Sequence, residues 1–195
     1  MDKIFFNFRI ICKVLIGHYY ILYKFFFKLS NKVDKNLLIN EDTELVIEGF
    51  PRVGNTFFVL AFKNICNNEL VIAHYIHLSC QIKQGLKNEI PVIILFRDPI
   101  ESIISLKVRE PKFSLNVALF WYCFFYKFVL DNIQNKIVVK KFDSFINNFE
   151  EIKKRFDYID TNKVDKNSMF ARIDDINKND KEITTLKNHL KSTRI

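Results

Sequence analysis

The 195-residue chain has the size of one domain and is long enough to bury about 70% of its unfolded surface in a core. Its 30 Lys and Arg outnumber 22 Asp and Glu, but they are spread along the chain and form no basic run interleaved with aromatic residues, which argues against a nucleic-acid partner. Its four cysteines contain no C-x-x-C pair, which indicates buried thiols in a reducing compartment.

The N-terminal stretch, residues 4–29, is densely apolar and aromatic. Four cations interrupt it: Arg9, Lys13, Lys24 and Lys28. The longest uncharged run, residues 14–23, is shorter than the about 20 residues that cross a bilayer, and no signal-peptide cleavage site follows. We expect an apolar helical segment over residues 1–40 that packs on the domain or lies in a membrane interface with its lysines in water. A true membrane span is the third alternative.

Residues 41–195 are expected to form a single α/β domain, because short apolar runs alternate with longer helix-like ones. The predicted strands are 44–49, 69–75, 90–96 and 136–142. The predicted helices are 55–66, 78–86, 99–106, 115–133 and 144–156. Continuous Val, Ile and Leu in 90–96 indicates a strand buried on both faces, as in a parallel sheet. The prediction is a three-layer, mainly parallel sheet flanked by helices.

The segment "GFPRVGNTF", residues 49–57, has the spacing G-x-x-x-x-G-x-T between the first predicted strand and the first helix after it. Open α/β sheets bind ligands at this end of a strand, and such a loop presents backbone N–H groups to an anion. Thr56 offers a hydroxyl, Asn55 an amide and Arg52 a positive charge. Because Asn55 stands where a nucleotide-triphosphate loop requires Lys, the spacing does not favour a kinase. A simple capped turn is the alternative.

A second strand-to-helix junction is "LFRDPIESIISL", residues 95–106. Arg97 stands at the strand end and Ser105 follows about two helical turns later. An Arg and a Ser so placed can hold one anionic group between them.

Together, "PRVGNTF" and "FRDPIESIIS" resemble the 5′-phosphosulfate loop and the 3′-phosphate motif of the P-loop-like sulfotransferase family. The resemblance covers about residues 44–156. It implies the fold of that family, 3′-phosphoadenylyl sulfate (PAPS) as donor, and transfer of a sulfuryl group to a hydroxyl or amine without a metal. The acceptor would be a small molecule, lipid or carbohydrate that the sequence does not name. The expected location is cytoplasmic, at the membrane periphery if the N-terminal helix lies on a membrane.

The resemblance also implies roles for individual residues. Arg52 would stabilise charge on the bridging oxygen, and Phe57 would stand beside the adenine. The 5′-phosphosulfate would be bound within residues 52–56, that is by Arg52, Val53, Gly54, Asn55 and Thr56. Arg97 and Ser105 would hold the 3′-phosphate.

A histidine after the second strand serves as general base in the family, and "VIAHYIHLS" offers two. An imidazole that titrates near neutrality is suited to taking a proton from an acceptor hydroxyl. His74 matches the family position better, and His77 is the second candidate. Two polar residues on a surface loop are the alternative without function.

Two departures from the family pattern keep other functions open. Val53 replaces the usual Ser of the loop, and the late R-K-G triplet of many members is missing from the sequence. One alternative is a nucleotide kinase or NTPase. The other is a non-catalytic, membrane-associated relative that still binds a nucleotide.

Overall fold

A computed structural model describes residues 2–29, 37–65, 70–132, 137–141, 188–189 and 191–192. This part of the chain contains helices and strands in alternation after an all-helical start. The helices are α1 (Lys3–Ile16), α2 (Tyr20–Leu29), α3 (Asn55–Ile65), α4 (Ser79–Lys87), α5 (Pro99–Arg109) and α6 (Leu115–Asp131). The strands are β1 (Leu45–Gly49), β2 (Ile72–His74), β3 (Val92–Phe96) and β4 (Ile137–Lys141).

The four strands form one parallel sheet in the order β2-β1-β3-β4. Every residue of β1 and β3 is buried, which agrees with the uninterrupted apolar run of the third predicted strand. The chain leaves β1 for the edge strand β2 and then returns to β3 on the other side of β1. The carboxyl ends of β1 and β3 therefore flank the point where the strand order reverses, which is the usual ligand crevice of such sheets. The prediction of an α/β protein with a parallel sheet flanked by helices is confirmed.

Right-handed crossovers place α3 on one face of this sheet and α4 and α6 on the other. Gly85 of α4 packs so closely that an added Cβ would lie 3.1 Å from a methyl of Val46 in β1. On the same side, the Tyr126 hydroxyl of α6 donates to the Leu95 carbonyl at 2.6 Å and accepts from the Phe50 N–H at 3.2 Å. Helix α6 thus fixes the ends of β3 and β1 next to the crevice.

The N-terminal segment forms two helices instead of the single helix that we predicted. Helix α1 ends at Gly17, where an added Cβ would lie 2.5 Å from the Leu78 side chain. The Gly17 carbonyl accepts the Cys80 N–H of α4 at 2.9 Å. The break between the two helices therefore lies at a glycine whose carbonyl bonds to the start of α4.

Both N-terminal helices contact the rest of the fold, α1 at α6 and α2 at α4. The buried Asn7 of α1 donates to the Lys112 carbonyl at 2.9 Å and accepts from the Ser114 N–H at 2.7 Å. One side of α1 is therefore packed on the domain. Within the described ranges, no helix has both the length and the apolar character needed to cross a membrane.

Most predicted elements from residue 44 onward are found, with changes at their ends. The second strand is only three residues long, Ile72–His74, and α5 continues beyond the predicted residue 106 to Arg109. The predicted helix 144–156 and the tail after it lie outside the described residues, apart from the short stretches at 188–192.

Candidate functional site

A pocket of about 500 Å³ opens where the loops after β1 and β2 meet the end of β3 and helix α5. Its lining contains three arginines and, among the described residues, no carboxylate. The lining residues are Pro51, Arg52, Gly54, Asn55, Thr56, Phe57, Tyr75, His77, Arg97, Leu106 and Arg109. The two motifs found in the sequence and one of the two candidate histidines therefore meet at one positively charged crevice.

The two glycines of the β1–α3 loop have different structural roles. An added Cβ at Gly49 would lie 2.5 Å from the Leu95 carbonyl oxygen, so Gly49 lets β1 approach the end of β3. Gly54 has a φ of 94°, a backbone conformation that favours glycine. The first helical hydrogen bond after it runs from the Phe58 N–H to the Gly54 carbonyl, so the N–H groups at the start of α3 precede the hydrogen-bonded ladder. Such a helix start attracts anions.

Two loop side chains that we expected to bind the ligand serve the loop itself. The Val53 side chain is fully buried in the core and is not part of the pocket lining. The Asn55 side chain is also buried, and its amide nitrogen lies 3.4 Å from the Gly49 carbonyl and 3.5 Å from the Phe50 carbonyl. Asn55 therefore braces the loop and reaches the pocket only at its wall.

Arg52 and Ser105 are brought together, although the resemblance places them at different ends of the donor. The Arg52 Nε donates to the Ser105 hydroxyl at 3.0 Å. Arg97 forms an ion pair with Glu101 one turn along α5, with Nε and Oε2 2.9 Å apart. Arg97 and Ser105, which we expected to bind one phosphate together, thus contact different residues, Glu101 and Arg52. To bind one anion together, the Arg97 and Ser105 side chains would have to leave these partners. Both side chains are partly exposed.

The rest of the "FRDP" motif starts helix α5. The Asp98 carboxylate accepts the N–H groups of Ile100 at 2.9 Å and Glu101 at 3.1 Å, and Pro99 occupies the first turn. Both features are those of an ordinary helix start. Within this motif, Arg97 is the residue that lines the pocket.

Of the two candidate bases, His77 lines the pocket, whereas His74 ends β2 and is not among the lining residues. The Nδ1 atom of His77 lies 2.7 Å from the Gly49 carbonyl oxygen. The same Nδ1 atom lies 3.1 Å from the Asn55 amide nitrogen. Because a carbonyl oxygen can only accept a hydrogen bond, the shorter Gly49 contact places the proton of the neutral ring on Nδ1, and the Asn55 amide then donates to the backbone carbonyls of Gly49 and Phe50. The other nitrogen, Nε2, then carries the lone pair and can accept a proton.

The backbone of His77 is fixed from both sides. Its N–H donates to the Glu48 carboxylate at 2.9 Å, and its carbonyl accepts the Trp121 indole N–H at 2.9 Å. The second Glu48 oxygen accepts the Ile76 N–H at 2.9 Å. Glu48 is fully buried in β1 and holds the β2–α4 loop onto the sheet. We did not predict this role, although a carboxylate inside the apolar strand "ELVIEG" was a usable signal.

Burial disfavours the charged forms of His77 and Glu48 and so shifts the pKa of each. It lowers the pKa of His77 to about 4 and raises the pKa of Glu48 to about 8, the latter against the opposing effect of the backbone hydrogen bonds. Burial likewise lowers the pKa of Lys13 in α1, and the nearby Glu48 opposes that shift. His77 is therefore a neutral imidazole at pH 7, as a proton acceptor must be.

Four lining residues, Pro51, Tyr75, Leu106 and Arg109, were not predicted as site residues. Arg109 is the last residue of α5 and stands one helical turn after Ser105, which is a spacing that could have been noticed. Tyr75 has a φ of 66°, and three of the four non-glycine residues with positive φ in the described ranges line this pocket: Arg52, Tyr75 and His77. Strained backbone of this kind concentrates at functional sites.

The site thus has arginines and N–H groups that can bind an anion. It also has an unprotonated ring nitrogen that can accept a proton. Such a combination is suited to a reaction between an anionic donor and a group that loses a proton. No protein-family model matches the chain, and a search of curated proteins finds no significant match.

Proposed function

We propose that this protein is a sulfotransferase that moves a sulfuryl group from PAPS to a hydroxyl or amine acceptor. The observation that carries the proposal is that Arg52, Arg97 and His77, from three separate segments, line one pocket at the switch point of the sheet. The resemblance of the two motifs to the sulfotransferase family supports the same function.

The residues of the pocket fit a donor with two separated anionic groups. Thr56 and the start of α3, with Arg52 beside them, suit the 5′-phosphosulfate. Arg97 and Arg109, on the α5 side, suit the 3′-phosphate. A ring on the first turn of α3, Phe57, is 43% exposed and can lie against an adenine.

The donor supplies a sulfuryl group bonded to a phosphate that can leave. His77 Nε2 takes the proton of the acceptor as the acceptor oxygen or nitrogen bonds to sulfur and the bond between sulfur and the phosphate oxygen breaks. The Gly49 carbonyl, 2.7 Å from Nδ1, stabilises the ring that becomes positively charged. Arg52 stabilises the negative charge that develops on the leaving oxygen.

The pKa of His77 in the free protein is low for a base that acts at neutral pH. An anionic donor in the pocket would raise it, because a nearby negative charge favours the imidazolium. Donor binding would therefore make His77 a stronger base at the moment when a base is needed.

The kinase alternative fits this pocket less well. A nucleotide-triphosphate loop needs a long cationic side chain on the β- and γ-phosphates, and here Asn55 is short, buried and turned to the Gly49 and Phe50 carbonyls. The other alternative, a relative that binds the nucleotide without turnover, rests on the sequence, in which Val53 stands where the family usually has Ser.

The proposal is tested by thermal shift with 3′-phosphoadenosine 5′-phosphate, the product that PAPS leaves behind. A ligand at about 100 times its Kd stabilises the native state by about 2.7 kcal/mol, which corresponds to a rise of about 5 to 10 °C in Tm for a chain of this size. Adenosine 5′-phosphate, which lacks the 3′-phosphate, is the matched ligand and should give a smaller rise. In Arg97→Ala, the rise in Tm with 3′-phosphoadenosine 5′-phosphate should become closer to the rise with adenosine 5′-phosphate. A larger, magnesium-dependent rise with ATP would contradict the proposal and favour a kinase.

A further inference from the structure

The two N-terminal helices leave one side bare. Nine large apolar side chains of α1, α2 and the turn between them are between 48% and 83% exposed. They are Ile4, Phe5, Phe8, Leu15, Tyr19, Ile21, Leu22, Phe25 and Phe26, and we call them the outer face. Proteins that stay in water rarely expose so many apolar side chains in one short segment.

The outer face lies opposite the side that packs on the domain. In α1, the exposed Ile4, Phe5 and Phe8 follow helical spacing and alternate with the buried Asn7 and Val14. In α2, exposed residues are grouped at 21–22 and 25–26, whereas Tyr20 and Tyr23 are packed against the core. The Tyr20 hydroxyl donates to the Ile39 carbonyl at 2.8 Å, which fixes how α2 is turned. Both helices are therefore anchored on one side and free on the other.

The charges of this segment have one sign. Residues 3–33 contain no Asp or Glu. They contain six cations: Lys3, Arg9, Lys13, Lys24, Lys28 and Lys32. Of these, Lys3, Arg9 and Lys24 are exposed beside the outer face. Even with the exposed Asp2 that caps α1, cations are in excess here, and apolar side chains beside cations are complementary to anionic lipid headgroups above acyl chains. A second copy of the same face would instead bring like charges together, which costs free energy.

The helices are too short to do more than lie on such a surface. At 14 and 10 residues they are roughly 21 and 15 Å long, against the roughly 30 Å of a hydrocarbon core. We propose that the outer face docks the protein on an anionic membrane surface, with α1 and α2 lying in the plane of the interface. This inference is independent of the sulfotransferase proposal, because the pocket residues begin only at Pro51.

The test is sedimentation of the full chain with phosphatidylcholine vesicles that do or do not contain phosphatidylserine. We expect binding to the vesicles with phosphatidylserine, weakened by salt. The pair Phe5→Gln and Phe8→Gln should weaken it about ten-fold or more through lost apolar burial. Arg9→Gln should weaken it about five-fold on the anionic vesicles only. The matched control is Leu60→Gln, an exposed apolar residue of α3, which should bind as the unchanged protein does.

Three results would overturn the inference. They are a lack of vesicle binding, equal losses for Leu60→Gln and the Phe5/Phe8 pair, and a dimer in light scattering that the pair abolishes. Because all the replaced side chains are exposed, the variants should keep the Tm of the unchanged protein and its shift with 3′-phosphoadenosine 5′-phosphate. Loss of vesicle binding is thereby separated from loss of the fold or of the nucleotide site.

Discussion

At the scale of single residues, His77 shows what a motif can and cannot predict. The window "VIAHYIHLS" contained both candidate bases, but position in the family pattern favoured His74. The structure places His77 in the pocket because its backbone and ring are held by Glu48, Gly49 and Trp121. Those three contacts come from β1 and α6, far away in sequence, and no local pattern encodes them. The sequence offered both histidines, whereas it could not show which of them lines the pocket.

The corresponding prediction concerns sulfuryl transfer from labelled PAPS to a panel of hydroxyl and amine acceptors. His77→Ala should lower the rate about 100-fold or more, because proton removal from the acceptor is lost. Its binding of 3′-phosphoadenosine 5′-phosphate should change little, since Arg52, Arg97 and Arg109 are intact. The control His74→Gln should keep most of the rate. Equal losses in both variants would mean that neither ring acts as the base in the way proposed.

At the scale of elements, the central strands and the helices next to them were predicted because their signals are local. Short apolar runs predicted β1 and β3, and the helix-like run after the third strand predicted α5. The break between α1 and α2 was missed because the contact made there, from the Gly17 carbonyl to the Cys80 N–H, joins residues far apart in sequence. The helix following β4 lies outside the described residues, so its prediction stays a prediction.

The β1–α3 loop allows a test of its two glycines by urea unfolding. Gly54→Ala should lower the free energy of unfolding by about 1 to 2 kcal/mol, because alanine disfavours positive φ. Gly49→Ala should lower it by more, since its Cβ would meet the Leu95 backbone carbonyl at 2.5 Å and the strands would have to separate. Gly54→Asn is the matched control, because Asn tolerates positive φ better than alanine does. A Gly54→Ala variant more damaging than Gly49→Ala would contradict this assignment of roles.

At the scale of the whole molecule, the order of strands explains why motifs far apart in sequence share a site. A parallel sheet with reversal between β1 and β3 brings residues 51–57 and Arg97 to one edge. Sequence could predict this much. The sequence contained a carboxylate inside an apolar strand, but it could not show that the buried Glu48 accepts the N–H groups of Ile76 and His77 from a loop 28 and 29 residues away. One buried carboxyl group thus holds the backbone of a pocket residue.

That carboxyl group should make stability depend on pH. The pKa of Glu48 is raised from its ordinary 4.5 to about 8 in the folded protein, so the folded state binds more protons than the unfolded state between these values. The free energy of unfolding should therefore fall as pH rises through this window. The pKa of His77 is lowered to about 4, so its contribution has the opposite sign, rising with pH between about 4 and 6.5. Above about pH 6.5, His77 no longer contributes to the pH dependence of the free energy of unfolding, whereas Glu48 does.

The measurement that follows is urea unfolding at pH 6.5 and pH 8 for the unchanged protein and for Glu48→Gln. One proton titrating over this interval changes the free energy of unfolding by up to about 2 kcal/mol, so the unchanged protein should lose roughly that amount relative to the variant. The absolute free energy of unfolding of Glu48→Gln will differ from that of the unchanged protein, because an amide does not reproduce both hydrogen bonds from the Ile76 and His77 N–H groups. The pH slope is therefore the informative quantity. Glu101→Gln, which removes a half-exposed carboxylate, should keep the slope of the unchanged protein, and an equal slope in Glu48→Gln would show that the buried group does not titrate in this range.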